Sequence, residues 1–91
     1  AYIERQAEVT TLWAEAQQRR ELADGYAFRF PGNAAMARRL IDYIIAERDC
    51  CPFFTFTLVA EPDNGPFWLH LQGPEGAKEA VIAGGSIQAT S

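Results

Sequence analysis

The segment from Glu47 to Leu58 constrains the fold of this chain more than any other stretch. It joins the end of a charged, helix-forming sequence to two adjacent cysteines, a proline, and a run of aromatic residues interleaved with threonine. A residue before proline is sterically pushed out of the α region, so Pro52 ends the helix and begins an extended chain. The segment therefore predicts a helix-to-strand junction that holds both cysteines of the protein, Cys50 and Cys51.

Residues 34–49 carry the clearest helical pattern in the chain. Asn33 is a favourable N-cap, and apolar side chains then recur at i, i+4 and i+8. This apolar stripe consists of Met36, Ala37, Leu40, Ile41, Ile44 and Ile45. Charged residues fill the other side, so the pattern predicts an amphipathic helix with one broad apolar side.

Three strands are predicted, one before this helix and two after it. They cover residues 26–30, 53–60 and 67–72, in which aromatic and branched side chains alternate with other residues. Two terminal helices complete the pattern. One covers residues 1–22, with Trp13 as a core anchor, and a short one starts at Pro74, which suits a first helical position.

The element order α-β-α-β-β-α predicts a single α+β domain over residues 1–91, in which residues 86–91 form a flexible tail. We expect a three-stranded, mainly antiparallel sheet with helices on one face. If the third strand lies between the other two, the sheet is a split β-α-β unit, like half a ferredoxin-like fold. A simple strand order with one parallel pair is the alternative.

The Asn64-Gly65 dipeptide predicts a two-residue turn between the last two strands, in a register where His70 faces Val59. One side of this hairpin is then apolar, and the other carries Val59, Trp68 and His70 among threonines and glutamine. An exposed tryptophan on such a mixed face is better explained by a partner than by water. Val59, Trp68 and His70 are therefore predicted to form a homodimer interface.

Composition narrows the class of protein. Twelve acidic residues against eight lysines and arginines give a net charge of −4, and the basic residues are scattered. This pattern argues against a nucleic-acid partner, which requires a clustered basic surface. The chain has no apolar stretch long enough to cross a bilayer, no signal-peptide core, and too few cysteines for a disulfide framework. We expect a cytoplasmic protein without a membrane partner.

The adjacent cysteines permit three uses: buried structural thiols, a soft-metal site, or thiol redox chemistry. A disulfide between them is disfavoured, because adjacent Cα atoms lie about 3.8 Å apart and disulfides need about 4.4–6.8 Å. The helix C-terminus, Glu47 and Asp49 disfavour a thiolate, which argues against a catalytic nucleophile. A metal ion can nevertheless displace the thiol proton. Cys50 and Cys51, with Glu47 as a neighbour, are the candidate ligands for mercury, zinc or a similar ion. No catalytic residue and no organic cofactor is predicted.

Two stretches of this sequence resemble a family of small, uncharacterised bacterial proteins. The stretches are Glu47-x-x-Cys50-Cys51-Pro52-Phe53-x-x-Phe56 and Trp68-Leu69-x-Leu71-x-Gly73-Pro74-Glu75-Gly76. The resemblance covers about residues 22–83. Some members of that family are encoded near heavy-metal resistance genes, which implies soft-metal handling, and the family brings no established catalytic activity.

The function expected from the sequence is that of a small binding or accessory protein that engages soft metal ions through Cys50 and Cys51. One alternative is a structural dimerisation module whose thiols are buried and inert. A weaker alternative is a small thiol-redox enzyme. Exposure of the two thiols distinguishes these alternatives, because a metal or redox site needs accessible sulfur.

Overall fold

The computed structural model describes residues 9–83, whose helices and strands share one hydrophobic core. In chain order the elements are α1 (residues 9–14), β1 (Gln18–Leu22), β2 (Gly25–Phe30), α2 (Ala34–Cys50), β3 (Thr55–Ala60), β4 (Phe67–Gln72) and α3 (Ala77–Ala83). Among the described residues, no helix has the length and apolar character needed to span a membrane.

The four strands form one antiparallel sheet in the order β1-β2-β4-β3. β4 returns between β2 and β3, so β2, α2 and β3 form a split β-α-β unit. The predicted α+β class is confirmed, as is the antiparallel arrangement with the last strand between the other two. The predicted count of three strands is wrong, because β1 pairs with the other edge of β2.

β1 occupies sequence that was predicted to end the first helix. Its glutamine, arginine and glutamate residues favour helix, but a two-residue turn pairs Leu22 with Gly25 and directs the chain into the sheet. The turn is held at the end of β4, where the Gly73 N–H donates to the Asp24 carbonyl at 3.1 Å and the Gln72 amide donates to the Asp24 carboxylate at 2.9 Å. Only residues 9–14 of the predicted helix are helical in the described chain, and residues 1–8 lie outside it.

The β3–β4 turn also differs from the prediction. Asp63 and Asn64 have positive φ angles of 60° and 57°, and the Gly65 N–H donates to the Pro62 carbonyl at 3.1 Å. The central turn residues are therefore Asp63 and Asn64, rather than Asn64 and Gly65. The physical reason is Pro66, which disfavours a helical-type backbone in the residue before it.

This turn moves the hairpin register by two residues. His70 pairs with Thr57 rather than Val59, and Leu58 pairs with Leu69. Because side chains alternate with a period of two, each side chain stays on its predicted face of the hairpin. The core face and the mixed face were therefore predicted correctly, although the pairs were not.

The core lies between the helices and the face of the sheet that carries the β2 aromatic residues. Trp13 is only 1% exposed, and its ring centroid lies 4.6 Å from that of Phe28 and 5.6 Å from that of Tyr43. Its predicted place as a core anchor is confirmed. The described helices contribute Leu12, Trp13, Met36, Leu40, Tyr43 and Val81 to the core.

The two ends of α2 agree closely with the sequence, whereas its buried face is narrower than predicted. The Asn33 side chain accepts a hydrogen bond from the Met36 N–H at 2.8 Å, which confirms the N-cap. Met36, Leu40 and Tyr43 are buried, but Ile41 and Ile45 are 44% and 59% exposed. The outer part of the predicted apolar stripe therefore faces outward.

α3 begins at Ala77, three residues after the predicted start. Gly76 has a φ angle of 96°, which is incompatible with a helix that starts at Pro74. Lys78 pairs with Glu21, which links α3 to β1. The predicted tail at residues 86–91 lies outside the described residues.

Candidate metal centre

The C-terminal end of α2 brings Glu47, Cys50 and Cys51 together. Cys50 is the last helical residue, and Cys51 caps the helix by donating its N–H to the Glu47 carbonyl at 2.7 Å. One carboxylate oxygen of Glu47 and the Sγ atoms of the two cysteines all lie within 4.8 Å of one another. Positions i, i+3 and i+4 share one side of a helix, which explains the cluster.

A fixed turn follows the cluster and leads into β3. The Phe54 N–H donates to the Cys51 carbonyl at 3.2 Å, which closes the turn around Pro52. The turn packs closely against Gly73, since a Cβ atom at that glycine would lie 3.0 Å from the Phe53 carbonyl oxygen. The cysteines therefore lie on a backbone that is held at both ends, by α2 and by the end of β4.

Neither cysteine is fully buried. Cys50 is exposed, whereas Cys51 and Glu47 are half-buried. The alternative of two buried, inert thiols therefore does not describe Cys50, which is open to solvent. Beside the pair, Phe53 is 46% exposed and its ring centroid lies 4.6 Å from that of Phe54.

The environment of Cys51 disfavours its thiolate. Burial is the largest cause, and it raises the pKa of the Cys51 thiol from its ordinary value of 9.0 to about 11. Hydrogen bonding with Cys50 and the negative charges of Cys50 and Glu47 act in the same direction. The sequence predicted an unfavourable field at this position, but it did not reveal that burial contributes most. Cys51 is therefore a weak nucleophile, whereas a metal ion can still bind its sulfur by displacing the proton.

The distances between the three possible ligand atoms are short enough for one ion to bind two or three of them. Zinc–sulfur bonds are about 2.3 Å long, so two sulfurs on one ion are at most about 4.6 Å apart, and then only if they lie on opposite sides of it. Ligand atoms within 4.8 Å of one another can reach this range with a small movement. Three protein ligands are one fewer than the four of a structural zinc site. Two thiolates in low coordination suit a soft ion better.

The predicted interface residues lie on the face of the sheet that is opposite the helices. Val59 and His70 are half-buried there, and His70 is not part of the cysteine cluster. Trp68 is only 8% exposed, and the Arg20 guanidinium lies 4.3 Å from its ring centroid. The expectation that Trp68 is exposed is wrong, because β1, which was predicted as helix, brings Arg20 over the ring.

Comparison with known proteins identified no relative of this chain. No protein family, curated protein sequence or solved structure matches this chain. Fold and site alone therefore define its class: an α+β protein with a four-stranded antiparallel sheet and a Glu-Cys-Cys cluster at a helix end. The resemblance to the small bacterial family stays a prediction.

Proposed function

We propose that this protein binds one soft metal ion, such as Hg²⁺ or Zn²⁺, through Cys50 and Cys51. The observation that carries the proposal is the cluster of two sulfurs and the Glu47 carboxylate within 4.8 Å, on a turn held at both ends. Thiolates bind soft ions in preference to hard ones, and the proton on Cys51 leaves when the metal binds. Glu47 supplies a third ligand when the ion is harder, such as Zn²⁺. When the ion is softer, such as Hg²⁺, Glu47 lies beside it without binding it.

Binding is a better use of this site than catalysis. A nucleophilic or redox cysteine needs a low pKa and positive surroundings, whereas burial, the neighbouring Cys50 and the Glu47 carboxylate raise the pKa of Cys51. A metal ion overcomes this barrier, since its bond to sulfur replaces the bond to the proton. Free thiols persist in reducing compartments, so the proposal places the protein in the cytoplasm.

A titration with Hg²⁺ tests the proposal, with the thiolate-to-metal absorbance as the readout. The wild-type chain is expected to saturate at one ion per chain, and the Cys50→Ser, Cys51→Ser double variant is expected to lack the signal. Equal, weak binding by both proteins would refute the site.

Substitutions of two acidic residues test whether Glu47 is a metal ligand. With Zn²⁺, Glu47→Gln is expected to weaken binding about tenfold, the lower end of what losing a metal-site partner costs. Asp49→Asn is the matched control, because Asp49 is a nearby carboxylate that is not part of the cluster. If both variants weaken Zn²⁺ binding equally, Glu47 acts only through its charge.

A second candidate function is homodimerisation without metal. The sheet face with Val59, Trp68 and His70 is one candidate surface, because the core-forming helices pack on the opposite face. Val59→Glu tests this surface, as Val59 is half-buried while Trp68 is already covered by Arg20. Sedimentation of wild type and variant at micromolar concentration is the measurement. If the dimer survives Val59→Glu, its interface lies elsewhere on the molecule.

A further inference from the structure

The outer side of α2 carries a surface that the metal site does not use. We define the α2 outer face as Ala37, Arg38, Ile41, Asp42 and Ile45. Ile41 and Ile45 are 44% and 59% exposed on successive helical turns. The first four of these residues line an open groove of about 350 Å³.

Single exposed apolar side chains are normal on a protein surface, whereas Ile41 and Ile45 are adjacent and together form an apolar patch beside a groove. Ile41 and Ile45 are two of the three large hydrophobic side chains that are exposed among the described residues, and Phe53 is the third. α2 buries its other side through Met36, Leu40 and Tyr43. The helix therefore has one face for the core and a second apolar face without a cover in the described chain.

We propose that a second copy of this chain docks on the α2 outer face, with the two α2 helices antiparallel about a two-fold axis at the level of residues 40 and 41. In such an interface residue i meets residue j and residue j meets residue i, so the surface must complement itself. Arg38 and Asp42 lie one turn apart beside Ile41 and have opposite charges. The two-fold axis places Arg38 opposite Asp42 of the partner subunit. By symmetry, Asp42 lies opposite Arg38 of the partner subunit, so the interface holds two such pairs.

Charge and size on this face both suit a second copy of the chain. The chain carries a net charge of −4, so two copies repel each other in general, whereas Arg38 and Asp42 make the outer face neutral. Neither residue forms an ion pair with another described residue. With the axis at this level, the small Ala37 lies close to the large Ile45 of the partner subunit, which is the alternation that lets helices interdigitate.

This surface is separate from the metal site. Cys50 follows Ile41 by nine residues, which at 3.6 residues per turn places it about half a turn around the helix. A dimer through the outer face therefore leaves Cys50 open to solvent. The self-association is expected in metal-free protein, so its failure and the failure of metal binding are independent results.

Sedimentation equilibrium of the metal-free, full chain at micromolar concentrations tests the proposal. Wild type is expected to form dimers, and Ile41→Glu and Ile45→Glu are each expected to weaken the association at least about tenfold. Phe53→Glu is the matched control, because Phe53 is 46% exposed and lies outside both candidate interfaces, and it is expected to leave the dimer intact. Val59→Glu distinguishes the two candidate interfaces, and the dimer is expected to survive it. Circular dichroism confirms that each variant is folded. A monomeric wild type, or a dimer lost only through Val59→Glu, would overturn the proposal.

A charge exchange tests the two-fold pairing itself. Arg38→Asp alone and Asp42→Arg alone each place like charges opposite one another, so each variant is expected to dimerise more weakly than wild type. An equimolar mixture of the two variants restores both opposite-charge pairs, and it is expected to form heterodimers as strong as the wild-type dimer. If the mixture associates no better than either variant alone, this pairing is refuted.

Discussion

At the scale of single residues, Cys50 and Cys51 are neighbours in sequence with different environments. Cys50 is exposed, whereas Cys51 is half-buried and has a pKa raised to about 11. Alkylation requires the thiolate, so we expect Cys50 to react at least about tenfold faster than Cys51 at neutral pH. The single variants Cys51→Ser and Cys50→Ser measure the two rates separately. Burial is the main cause of the raised pKa, so Cys51 is expected to stay slow without Cys50, and equal rates would contradict this account.

The same pKa shift makes a prediction for stability at alkaline pH. The folded protein holds the Cys51 proton up to about pH 11, whereas an unfolded thiol releases it near 9.0. Folding is therefore favoured by the protonated thiol, and this contribution is complete below about pH 9 and lost as pH rises towards 11. Urea unfolding across this range is expected to show a steeper loss of stability for wild type than for Cys51→Ser. If the stability of wild type and of Cys51→Ser falls equally with pH, Cys51 is not the cause of the loss.

The cluster itself could be predicted from the sequence, because helical spacing alone brings Glu47, Cys50 and Cys51 to one side of α2. The burial of Cys51 could not be predicted, because it comes from tertiary packing that no local pattern encodes. The turn around Pro52, for example, packs against Gly73, which lies about twenty positions further along the chain. Exposure of Cys50 was left open for the same reason.

At the scale of elements, α2, β2, β3 and β4 follow from local periodicity, whereas β1 does not. Residues 18–22 have the composition of a solvated helix, and their strand conformation depends on pairing with β2. The β3–β4 register shows a similar limit. Asn64-Gly65 is a strong turn signal taken alone, but Pro66 shifts the turn by one residue.

The β1–β2 hairpin depends on Gly25, which lies against β4. A Cβ atom at Gly25 would lie 1.9 Å from the Leu71 carbonyl oxygen, so Gly25→Ala is expected to cost more than about 3 kcal/mol of unfolding free energy. Gly76→Ala is the control, because Gly76 has a φ of 96° and open space around it. Its cost is expected to be about 1–2 kcal/mol, from backbone strain alone. Denaturant unfolding measures both, and similar small losses would contradict the close contact of Gly25 with β4.

At the scale of the whole molecule, the helices cover one face of the sheet and leave three separate features outside the core. These are the cysteine cluster at the end of α2, the α2 outer face, and the sheet face with Val59 and His70. The sequence predicted the fold class and the antiparallel strand order. The sequence also predicted a dimer interface on the open face of the sheet, because Trp68 was expected to be exposed there. In the structure Arg20 of β1 covers Trp68, and this cover was missed because β1 was predicted as helix.

Metal binding is expected to stabilise the whole fold. An ion that binds the folded cluster more tightly than the unfolded chain raises stability by an amount that grows with its free concentration. Thermal unfolding with excess Zn²⁺ is expected to give a higher midpoint for wild type and no change for the Cys50→Ser, Cys51→Ser double variant. A similar rise in both proteins would indicate binding outside the cluster.

In the proposed site, the two cysteines of a single chain hold one ion. X-ray absorption at the mercury edge, on protein loaded with one equivalent of Hg²⁺, counts the sulfur atoms around the metal and tests this claim directly. Two sulfur neighbours per ion are expected, because the two Sγ atoms already lie within 4.8 Å of each other. Four sulfur neighbours would mean that two chains share the ion, and one or none would mean that Cys50 and Cys51 do not act as a pair.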